Sequence, residues 1–137
     1  MMIKDAFGLN YSGATEVGFS SYVKAVHELQ CFIGDPVSSI DRAIADDPSF
    51  VMAHVFKGYL FGLATERDAS AVARSSYEAA MPLAASAREA AHVAALGHLA
   101  EGRWHEAARI LEDIAIDNPR DALALQTGHQ IDFFTGN

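Results

Sequence analysis

The sequence predicts an all-α fold, an α-solenoid of antiparallel helical hairpins with about seven helices and no sheet. Three observations predict it. Half of the 137 residues are apolar, a fifth are charged and only 4 are proline, a composition that suits helices better than sheet or disorder. Apolar side chains recur at three- and four-residue intervals along most of the chain, as they do in helices with one buried face. A short phrase is also written twice: Asp46 to His54 reads DDPSFVMAH and Asp117 to Leu125 reads DNPRDALAL. Each copy ends one helix at a proline and opens the next on an apolar run.

Taken in order, residues 1–18 carry Gly8, Gly13 and Gly18 with no sustained period and read as an irregular lead-in. A helical repeat domain follows over 19–137. Its first hairpin, 19–47, opens near Phe19 with Ser20 or Ser21 at the cap; Phe19, Tyr22, Val23, Val26 and Ile33 share one face, and Gly34 stops the helix. Asp35-Pro36 starts the partner helix, because an aspartate cap accepts orphan amide hydrogens and proline suits the first helical position. The second hairpin, 49–82, begins with a helix running to about Ala64. It is apolar at Met52, Val55, Phe56, Tyr59, Leu60 and Leu63 and nearly free of charge elsewhere, which predicts an enclosed, central position. Its partner runs from about Asp68 to Met81, and Pro82 breaks it.

The third hairpin, 86–118, starts with Ser86 as cap and Glu89 at the capping-box position. Beyond Gly102 lies the clearest amphipathic segment, with Trp104, Ala107, Leu111 and Ile114 on one side and Glu106, Arg109, Glu112 and Asp113 on the other. An unpaired helix, 121–135, is capped by Asp121 and stopped by Gly136.

The prolines set a period. Pro48 and Pro82 are 34 positions apart, and Pro119 follows after 37, one unit plus an insertion of three around Ala84 to Ser86. Thirty-four residues is the length of a tetratricopeptide unit. The third hairpin resembles that pattern residue by residue, at Gly102, Ala107, Leu111 and Pro119, and Gly58 stands where the second hairpin wants a small side chain. Lys57, His54 and Leu125 depart from it. The chain as a whole resembles the N-terminal part of the tetratricopeptide repeat protein 38 family. The resemblance rests on Asp5, Gly8, Gly34-Asp35-Pro36, AIADDPSFVMAH from Ala43, REAAHVAAL from Arg88, and DALAL with Gly136. It implies a helical repeat protein without established catalytic residues. Members of that family are several times longer, which implies that this chain is a fragment or a truncated relative.

A net charge of -8 argues against nucleic acid, whose phosphates call for surplus Lys and Arg. Cys31 is the sole cysteine, so neither an intramolecular disulfide nor a CxxC site can form, and a reducing compartment is expected. The N-terminus lacks the apolar core of a signal peptide. The longest apolar stretch, Phe50 to Ala64, is interrupted by His54 and Lys57 and too short for a bilayer. The expectation is a cytoplasmic protein with no membrane partner.

Chemistry-bearing motifs are sparse. Glu89 and His92 form an E-x-x-H pair, but a carboxylate-bridged metal site needs that motif on two helices; a metal-dependent enzyme around the pair is one alternative, set against a capping glutamate and a groove histidine. His98 and His105 lie on either side of a glycine turn. Cys31 has no sequence-local base and reads as a small buried hydrophobe. Asp46, Asp47, Asp113 and Asp117 read as helix-end caps or solvated charges. No phosphate loop, dinucleotide loop or nucleophile elbow occurs. The expectation is no catalytic residue, no cofactor and no metal. In a solenoid of this type the first helices of successive units line a concave groove. Register places Met52, Val55 and Tyr59, then Glu89, His92 and Leu96, then Leu123, Gln126, Gln130 and Phe133 there. The function expected is a non-enzymatic module that binds a protein or peptide in that groove. The alternative is self-association through the C-terminal helix, at Ile131, Phe133 and Phe134.

Overall fold

A computed structural model describes residues 3–64 and 66–136. The chain is mostly helical, as expected, but within the lead-in a small sheet is present that was not expected. Strand β1 (Ile3–Lys4) pairs antiparallel with β2 (Asn10–Tyr11), Ile3 opposite Tyr11. The turn between them is built by Asp5, whose carboxylate accepts hydrogen bonds from the amides of Phe7 and Leu9 and from the Tyr11 hydroxyl. A short acidic side chain that captures its own downstream amides makes such a turn without any hydrophobic period, which is why period alone predicted no sheet.

Helix α1 (Glu16–Cys31) begins ahead of Phe19, because Thr15 rather than a serine is the cap and its Oγ1 accepts the Gly18 amide. It also ends before Gly34. Phe32 takes the left-handed conformation at φ 55°, and the amide of Ile33 returns to the Glu28 carbonyl, a closing pattern that glycine usually supplies. Asp35 caps α2 (Pro36–Asp46) as expected, accepting the Ser38 amide. Glu28 joins the two helices: it accepts the Ser39 hydroxyl and the Asp35 amide, which hold its carboxyl below the ordinary range.

The remaining helices are α3 (Val51–Gly62), α4 (Arg67–Ala80), α5 (Ala87–Ala100), α6 (Trp104–Asp117) and α7 (Ala122–Thr135). Each packs on the next along the chain, and α3 also packs on α5. Helix α3 is therefore enclosed by α2, α4 and α5, and every residue from Val51 to Phe56 is buried. Its approach to α5 is close: a Cβ added at Gly58 would lie 2.5 Å from Leu96, so a side chain there would force Leu96 to move. Tyr11, Phe19, Tyr22, Phe50 and Phe56 form one ring cluster that seats the β-hairpin and α1 on α3. Helix α7 rests on α6 and leaves Leu125, Phe133 and Phe134 exposed. Among the described residues no helix is long and apolar enough to cross a membrane.

Candidate functional site: a braced cleft between the first and last helices

The groove expected from register is only partly a surface. Met52, Val55, Tyr59, Glu89, His92 and Leu96 are at most 3% exposed, and of these only Tyr59 borders the open cleft between α1 and α7. Leu123, Gln126, Gln130 and Phe133 do reach solvent. Register identifies the inward face of a helix; it does not say whether another segment already covers that face.

The covered residues form a polar brace. Tyr59 on α3 lies 2.7 Å from Nδ1 of His92 on α5, whose Nε2 lies 2.8 Å from Asp121 Oδ2 at the start of α7. Arg88 NH1 donates to the same oxygen at 3.0 Å, and the Ala124 amide donates to Oδ1. Burial opposes the Asp121 charge, but the hydrogen bond from His92, the Ala124 amide and Arg88 outweigh it and hold the carboxyl at about 2. An ionised Asp121 requires the hydrogen on Nε2 of His92. In the neutral ring Nδ1 then accepts from the Tyr59 hydroxyl, which is also 3.2 Å from the His92 carbonyl. Burial, with the Asp121 charge nearby, pushes the Tyr59 phenol well above its usual range, so it remains a donor. Carboxylate, imidazole and hydroxyl follow one another as in hydrolase relays, but every polar atom is spent on a neighbour and the assembly locks three helices together.

Glu89 is spent in the same way. The capping box with Ser86 forms as expected, and the carboxylate also accepts the amide of Ser12 at 2.8 Å and its hydroxyl at 2.6 Å. Arg88 reaches the Asn10 carbonyl at 2.7 Å and lies over the Tyr11 ring. Two successive residues of α5 thus hold the N-terminal segment. Asp47, expected to cap or solvate a helix end, instead accepts the amide and hydroxyl of Thr15. Cys31 is exposed rather than buried, 3.8 Å from Nδ1 of His27. His98 accepts from Arg103. Sequence reasoning missed the brace because Asp121 and His92 stand 29 positions apart. The available signal was an aspartate cap and an inward-facing histidine, each on a separate helix.

What remains open is a cleft between α1 and α7. Leu29 of α1, Leu60 of α3 with Leu63 just beyond its end, and Leu123, Gln126 and Gln130 of α7 line a hollow of about 220 Å³, with Tyr59 at its floor. It continues past Gln30 towards Leu125, His129 and Phe133. No protein-family model matches the chain, and no solved structure matches it.

Proposed function

We propose that the chain is a tetratricopeptide-like α-solenoid and a non-enzymatic, cytoplasmic binding module that takes a peptide segment of a partner protein in the cleft between α1 and α7. The packing order supports the solenoid: successive hairpins, with α3 against α5 where the first helices of adjacent units should meet. The observation that carries the binding reading is the pairing of leucines with free amides. Gln30, Gln126 and Gln130 rim the hollow, and none of the three has a hydrogen-bond partner among the described residues. A glutamine amide both donates and accepts, which matches a peptide backbone, while Leu60, Leu63 and Leu123 suit apolar side chains.

The test is selection from a displayed random-peptide library. Selected peptides should lose about tenfold in affinity against the Gln126→Ala, Gln130→Ala double variant. Peptides that bind the variant as tightly as the native chain would place recognition elsewhere.

A second reading, pairing of two copies through α7, is favoured by Phe133 at 82% exposure beside the half-exposed Phe134. Sedimentation at micromolar concentration separates the readings, since a dimer lost in Phe133→Ser supports self-association and a monomer opposes it.

A further inference from the structure

At the end of the cleft nearest the N-terminus a larger cavity, about 500 Å³, opens between the β-hairpin, α1 and the start of α7. Its walls are apolar, with Leu9, Phe19, Val23, Val26 and Leu123 facing it. Its charges are unevenly committed. The two acids that line it are both occupied: Asp5 accepts the Tyr11 hydroxyl and the amides of Phe7 and Leu9, and Asp121 accepts from His92, Arg88 and Ala124.

Two of its bases are not. Lys4 on β1 and Arg120 just ahead of α7 line the cavity and are exposed, and neither side chain has an ion-pair or hydrogen-bond partner among the described residues. Arg88, which also lines the cavity, is paired with Asp121. In a chain with 18 acidic residues and 10 basic ones, two uncommitted cations from different elements at one apolar cavity mark a local reversal of the overall charge.

We propose that this cavity binds a small amphipathic anion, an alkyl carboxylate whose chain lies against Phe19, Val26 and Leu123 and whose carboxylate meets Lys4 and Arg120. Apolar walls remove the chain from water, and charge-assisted hydrogen bonds, above all from the forked Arg120 guanidinium, fix the head. The site adjoins the glutamine-rimmed hollow and shares Leu123 and Gln30 with that cleft, but its cations are Lys4 and Arg120, so it does not depend on that reading.

Titration of the native chain with decanoate, decanol and decylammonium, followed by calorimetry and by backbone amide shifts, tests it. Decanoate is expected to saturate the site with shifts at Leu9, Val26 and Leu123, decanol to bind more weakly, and decylammonium not to compete. Removing both cations in Lys4→Gln, Arg120→Gln should weaken decanoate about three- to tenfold and leave decanol unchanged. Gln126→Ala, Gln130→Ala should leave decanoate binding as it was. Absence of saturable decanoate binding at millimolar concentration, equal binding of decylammonium, or unchanged affinity in the Lys4, Arg120 double variant would overturn the assignment.

Discussion

The two copies of the Asp-x-Pro phrase open helices with opposite fates. Val51 and Ala122, the first residues of α3 and α7, each lie three positions after the proline, so Phe50 and Asp121 occupy equivalent cap positions. Phe50 caps α3 without a side-chain hydrogen bond and sits in the aromatic cluster. Asp121 caps α7 through the Ala124 amide and gathers Arg88 and His92 about it. Helix α3 is enclosed on several sides, whereas α7 exposes Leu125 and Phe133. A local phrase therefore fixes where a helix starts, and the number of neighbours decides whether that helix becomes core or surface.

The strongest way to break this contrast is to remove the charged cap. Asp121→Ala strips a buried guanidinium and a buried imidazole of their shared acceptor, and a loss of about 3–5 kcal/mol is expected in urea unfolding. Asp47→Ala, at the first joint, removes only the acceptor for Thr15 and should cost about 1–2 kcal/mol. Equal losses would mean that the joints are held alike.

Acid titration sharpens the same point. The Asp121 carboxyl is lowered from 3.8 to about 2 on folding, so its contribution is complete above the unfolded value and is lost as pH falls from about 4 towards 2, on the order of 2 kcal/mol in all. The stability gap between the native chain and Asp121→Asn should narrow across that window. A gap that stays constant down to pH ~2 would contradict the assignment.

Two glycines extend the comparison, and one of them carries the smallest expected effect. Gly58→Ala drives a methyl into Leu96 and should cost about 1–3 kcal/mol. At Gly128 of α7 a Cβ would meet only Leu111, at an ordinary 3.8 Å, so Gly128→Ala should raise stability by roughly 0.5–1 kcal/mol through helix propensity. Thermal melts of the pair should move in opposite directions.

These same residues mark what could be read from sequence. Helix boundaries were legible where a side chain announces them locally, at Asp35-Pro36, Ser86 with Glu89, and Gly136. The enclosed position of α3 was legible from its lack of charge. The groove was not, since Met52, Val55 and Leu96 have the same period whether a cleft or a neighbouring segment faces them. Nor was the N-terminal hairpin, because Asp5 acts through hydrogen bonds and Glu89 through contacts remote in sequence, and neither leaves a hydrophobic period.

The bond from Ser12 to Glu89 spans 77 positions. During synthesis at about 5–20 residues per second, Ser12 emerges several seconds before its acceptor exists. Its early turn can close on Asp5 at once and Tyr11 can pack on Phe50, yet the carboxylate that holds Ser12 comes only with α5. The stretch around Ser12 thus gains its last bonds only once α5 exists, and a nascent chain halted before Glu89 should leave it more open to a protease.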